Sequence, residues 1–113
     1  MRVVLVFAGQ PQRKIVVEEL PAMIGRDASA EVCMEDDSWV GHFQCILDQE
    51  RGKLRVLDLG TRTGTFVNGV RVKRAVLLPG DMLTVGRTDF VVQYDVTPLA
   101  AELMHECAGA GCG

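Results

Sequence analysis

A chain of 113 residues, 48% hydrophobic, is the size of one compact domain with a real core. Its net charge of −3 supplies no overall basic field for nucleic acid or an anionic membrane, and one Trp and one Tyr offer few stacking platforms. No apolar run approaches the roughly 20 residues of a membrane span, and "MRVVLVFAGQ" is too short for a signal sequence, so a cytoplasmic protein is expected.

From the N-terminus the apolar period is two almost throughout. Strands are predicted at 2–7, 14–20, 22–26, 31–34, 42–48, 53–59, 64–67, 70–76, 81–86 and 89–95, short and rich in β-branched residues. Turn signals separate them: Gly9-Gln10-Pro11, Glu50-Arg51-Gly52, Asn68-Gly69, Pro79-Gly80-Asp81 and Arg87-Thr88-Asp89. About ten short strands at this spacing predict an all-β fold, a sandwich or a barrel. Cys33 and Cys45 fall inside apolar runs, where a free cysteine behaves as a small hydrophobe. Only 98–107, after Thr97-Pro98, has helical composition, and it opens a tail in which His105, Cys107 and Cys112 are too irregularly spaced for a closed zinc site. Residues 1–96 are therefore expected to form the domain, and 97–113 a tail or linker.

Three connections carry more polar and glycine residues than a turn requires: "GRDASAEV", "EDDSWVGH" and "GTRTG". Connections at alternate strand ends of a sandwich emerge on the same side, so one shared rim is expected. In "DLGTRTGTFVNGVRV", Asn68-Gly69 makes the hairpin turn, because both residue types tolerate positive φ. "GTRTG" is the excess. The cluster Arg71, Lys73 and Arg74 reads first as a solvated basic face, with phosphate contact as the alternative.

"IGRD" (24–27), "TRTGTFVNG" (61–69) and "LLPGDMLTVG" (77–86), in that order and spacing, resemble the forkhead-associated (FHA) domain over roughly residues 3 to 95. The resemblance implies an all-β, two-sheet antiparallel β-sandwich of about eleven short strands. It also implies apical loops that bind phosphothreonine peptides, with no enzyme chemistry and no cofactor. Its phosphate-binding arginine corresponds to Arg26. In the better register of "SWVGHFQCILD", Gly41 holds the place of the family's phosphate-contacting serine, His42 follows, and Gln44 stands where a histidine braces the loops. A competing register keeps His42 as that histidine and puts Trp39 at the serine. Thr61 occupies a serine or threonine slot, Arg62 a variable one, and Thr63 replaces the asparagine that grips the peptide backbone. Asn68 turns the hairpin and in some relatives lies near the peptide.

The frame of the site is therefore expected to be intact and its grip altered. A hydrogen bond to a charged group contributes about 1.5–3 kcal/mol and a neutral one about 0.5–1.5 kcal/mol. The exchanges at Gly41 and Thr63 thus remove roughly 2–4.5 kcal/mol, about 30- to 2,000-fold in affinity. The Gly41 amide is expected to keep part of the phosphate contact, and His42 and Arg62 are the candidates to compensate. Arg26 has an alternative reading as the partner of Asp27, Asp36 or Asp37. Trp39 reads as a loop anchor or core cover, and Asp81 as the cap of the Pro79-Gly80 turn.

Two functions stand against each other. The first is a monomeric, non-catalytic module recognising a phosphorylated protein or peptide, a kinase substrate among the candidates. The second is a degenerate domain that binds a partner or oligomerises without phosphate. No Ser-His-Asp set and no phosphate-binding Gly-Lys-Ser/Thr loop supports an enzyme.

Overall fold

The computed structural model describes residues 1–95 and shows eleven strands in two sheets. In chain order they are β1 (Val3–Phe7), β2 (Lys14–Val17), β3 (Ala22–Gly25), β4 (Val32–Cys33), β5 (Cys45–Glu50), β6 (Lys53–Asp58), β7 (Thr65–Val67), β8 (Val70–Val72), β9 (Arg74–Leu77), β10 (Met82–Val85) and β11 (Thr88–Tyr94). One sheet runs β2-β1-β11-β10-β7-β8 and the other β4-β3-β5-β6-β9. Alternation places Val3 and Leu5, Leu54 and Val56, and Phe90 and Val92 between the sheets, all at 1% exposure or less. The expected sandwich is therefore the observed one.

Two details depart from the expectation. The run at 70–76, predicted as one strand, divides at Lys73: β8 pairs with β7 in one sheet and β9 with β6 in the other. The alternation slips there, Lys73-Arg74 being two successive polar residues and the inward positions passing from Val72 to Ala75 and Leu77, but the slip does not say that the two halves join different sheets. The short β4 runs parallel to β3, because the 26–31 loop doubles back, closed by the Ala30 N–H donating to the Asp27 carbonyl.

Cys45 is fully buried, and burial pushes its thiol up to about 12. Cys33 is exposed, contrary to its reading as a buried hydrophobe, because the odd position of β4 faces out. The expected tail helix at 98–107, with His105, Cys107 and Cys112, lies outside the described residues.

Candidate functional site

The three polar connections meet at one end of the sandwich. The chain leaving β3 is joined to the segment before β5 by backbone bonds from Arg26 N–H to the Gly41 carbonyl (3.1 Å) and from Asp27 N–H to the His42 carbonyl (3.1 Å). Gly25 is required for this approach: a Cβ there would fall 2.3 Å from the His42 carbonyl oxygen. The Thr63 hydroxyl donates to the Trp39 carbonyl at 3.0 Å and ties the third loop to the second.

The third loop folds around Asp58. Its carboxylate accepts from the Gly60 and Thr61 amides (2.9 and 3.1 Å) and from the Thr61 and Thr65 hydroxyls (both 2.7 Å). Partial burial works to raise the Asp58 pKa, but these donors outweigh it and hold the carboxyl below its usual range. From the β8 side, the Arg71 guanidinium donates to the Thr61 and Arg62 carbonyls at 3.1 and 3.4 Å. Gly64, at φ +84°, leaves the space that Arg71 fills. Arg71 is thus a brace of the loop and not merely part of a solvated basic face.

Gln44 holds the loops together from inside. The side chain is fully buried; its Oε1 accepts the Gly41 N–H at 2.7 Å, and its Nε2 donates to the Thr61 hydroxyl, the Gly64 carbonyl and the Thr65 hydroxyl at 3.2, 2.9 and 3.0 Å. This bracing geometry is what the first register predicts for position 44. It has a consequence for Gly41: the amide expected to serve a phosphate is already bonded to Gln44. Thr61 is engaged in the same way, bonded to Asp58, Gln44 and the Gly64 N–H.

The Arg26 Nε donates to the Val40 carbonyl at 2.7 Å, which fixes the plane of the guanidinium. Among the described residues its terminal Nη groups have no hydrogen-bond partner, and it forms no ion pair with Asp27, Asp36 or Asp37. Asp27 instead pairs with His42, whose Nε2 lies 2.9 Å from Oδ1. Bonds from the Ser29 hydroxyl and amide, with a smaller contribution from His42, lower the Asp27 pKa. Asp37 accepts from the Trp39 amide, the Arg87 amide and the Thr88 hydroxyl, at 2.9, 2.8 and 2.8 Å. Burial raises its pKa, but these bonds outweigh that effect and leave it lowered. The β10–β11 turn is thereby a fourth element of the rim, which the sequence does not announce. Trp39 does not cover the core: its ring is half-exposed and lies under the Arg87 guanidinium, 4.6 Å from the centroid.

Of the residues singled out in the sequence, Arg26, Gly41, His42, Thr61, Arg62 and Thr63 lie on these joined loops, Arg62 exposed. Asn68 does not. It follows β7 at the end away from Gly64, where its side chain bonds Asp81 Oδ1 (3.1 Å) and the Met82 amide (2.9 Å). Three strand residues, about 10 Å, separate it from the rim. Asp81 caps its turn as read, accepting the Leu78 N–H at 2.8 Å.

A two-sheet sandwich that gathers four loops at one end, with a guanidinium fixed among them, defines a loop-presenting β-sandwich module. The FHA-domain family pattern matches residues 22–86, and the chain belongs to that family of non-catalytic modules. No curated protein matches the sequence significantly. Among solved structures, it is similar to an FHA domain from a structural and functional analysis of phosphothreonine-dependent FHA interactions, at 23% identity and TM-score 0.75, covering 84% of this chain and 98% of that one. It is also similar to the FhaA FHA domain complexed with the intracellular domain of Rv3910, at 25% identity and TM-score 0.71, covering 80% and 99%. Mycobacterium tuberculosis EmbR, solved with a low-affinity phosphopeptide, matches at 18% identity and TM-score 0.76, over 85% of this chain and 25% of that one.

Proposed function

We propose that the rim formed by the four loops recognises a phosphothreonine-containing segment of a partner protein, with Arg26 as the principal phosphate contact. The observation that carries this reading is the fork of Arg26, its plane fixed by Val40 and its Nη groups unpartnered among the described residues. A guanidinium held this way meets a phosphate in bidentate fashion at little further cost in side-chain entropy. Family membership, and the phosphothreonine and phosphopeptide of the first and third relatives described, support the same ligand. Arg62 and His42 stand on the same loops as secondary contacts. The proposed unit is residues 1–96, with 97–113 as a tail. A cytoplasmic location is consistent with two free thiols, Cys33 and Cys45, in the described residues.

A second reading, phosphate-independent partner binding, is favoured by one observation: the Gly41 amide and the hydroxyls of Thr61 and Thr63 are all engaged within the rim. A single titration separates the two. A phosphothreonine peptide library is titrated against its unphosphorylated controls, with wild type and Arg26→Ala. Under the first reading phosphorylated peptides bind preferentially, and Arg26→Ala weakens them by about 10- to 100-fold, the loss of hydrogen bonds to a charged group. Equal binding of both forms, unchanged in Arg26→Ala, would establish the second reading.

A further inference from the structure

Two adjoining depressions run from the rim onto the outer face of the five-stranded sheet. The first, of about 750 Å³, is bordered by Gly60 and Thr61 of the rim and by Leu57, Arg71, Lys73 and Arg74. The second, of about 400 Å³, shares Leu57 and Arg74 with it and continues along β6 and β9 to Val76. Its floor is apolar where a sheet exposed to water is ordinarily polar: Leu57 is 42% and Val76 45% exposed. The wall is basic. Lys73 and Arg74 form no ion pair among the described residues, whereas the cation at the far end, Arg55, is paired with both Asp48 and Glu50.

We infer that this groove is a second docking surface, which takes an acidic segment bearing apolar side chains from the same phosphorylated partner, next to the phosphothreonine on the rim. Two features favour that occupant. The groove is continuous with the rim through Gly60 and Thr61, so a chain leaving the rim enters it directly. Lys73 and Arg74, adjacent on its wall and without an ion pair among the described residues, also favour carboxylates over basic segments. The apolar floor supplies the pocket for a Leu or Ile between them. This inference rests on the phosphothreonine reading of the rim and extends the ligand beyond it.

The probe is a short phosphothreonine peptide, bare or extended at either end by about six alternating Glu and Leu residues, roughly 20 Å of extended chain. Binding is measured by anisotropy, and the contact is mapped by amide chemical shifts. One extended peptide is expected to bind about tenfold tighter than the bare one at low salt, and less so at high salt. The gain should vanish in Lys73→Glu/Arg74→Glu and shrink in Leu57→Ser, all three positions being exposed. Shift changes should spread to Leu57, Arg74 and Val76 only with the extension. If neither extension adds affinity, or charge reversal leaves the gain intact, the groove is no docking surface and its lysine and arginines only protect edge strands. Failure of the bare peptide to prefer phosphate would overturn the reading of the rim instead.

Discussion

At Gly41 a Cβ would fall 2.9 Å from the Thr61 methyl and 3.2 Å from Gln44 Oε1. Its φ lies outside the left-handed region, so the glycine is needed for space and not for an unusual backbone. The Thr61 methyl cannot readily turn away, because the hydroxyl beside it is held by three partners. Gly41→Ser, the exchange that restores the family residue, is therefore expected to destabilise the domain by about 1–3 kcal/mol, the usual cost of overpacking. Gly41→Ser/Thr61→Ser keeps the hydroxyl and removes the methyl, and should recover most of that loss. Urea melts of the two variants check this, and equal midpoints for them would show that the Thr61 methyl is not the obstacle. The sequence shows the missing side chain at 41 but not the neighbour that fills its place, since Thr61 is twenty residues away.

The loop from Asp58 to Gly64 is an element organised by one carboxylate. Its lowered pKa means that the folded state favours the charged form; the stability this confers is complete above the unfolded value near 3.8 and is lost as pH falls through the lower folded value. Asp27 and Asp37 carry the same sign. Thermal melts from pH 7 to pH 2 should thus show a flat region and then a steep loss below about pH 4. Asp58→Asn should cost about 1–3 kcal/mol at pH 7, since its NH2 group cannot accept from the loop donors, and should flatten the acid limb. An unchanged acid limb would assign the loss to other carboxylates. This organiser was partly legible: Asp58 followed by Gly60 is the local signature of a side chain bonding its own backbone two residues on, but the same residues also extend the alternation of β6. Arg71 was not legible, because a surface arginine ten residues from the carbonyl it holds leaves no local pattern.

Across the whole molecule, the strands could be read because a half-buried strand writes its period of two into the sequence, as at Lys53–Val56 of β6, and because others, like β1, are short β-branched apolar runs bounded by turns. What the period does not encode is which sheet a strand joins: the slip at Lys73-Arg74 separates β8 from β9 without saying that they lie in different sheets. At the end of β11 Tyr94 clasps the two sheets, its hydroxyl donating to the Leu77 carbonyl at 2.6 Å and accepting the Leu54 N–H at 3.4 Å. Tyr94→Phe should cost about 1–3 kcal/mol, seen as a lower urea midpoint with an unchanged m value. Phosphopeptide affinity of the folded variant should be unaltered, because none of the clasp residues belongs to the rim. A matching loss of affinity would show that the two ends of the sandwich are coupled.

The carboxamide at position 44 also makes the brace indifferent to mild acid. An imidazole, which the FHA resemblance implies at this place, exchanges an acceptor for a donor when it gains a proton. The Gly41 N–H would then face a second N–H across a buried gap. Gln44 has no such proton to gain, and it presents the same Oε1 to Gly41 and the same NH2 to Thr61, Gly64 and Thr65 at either pH. Between about pH 5 and 8 the loops therefore keep their spacing at the brace, and a change of affinity in that interval does not come from a loosening at position 44.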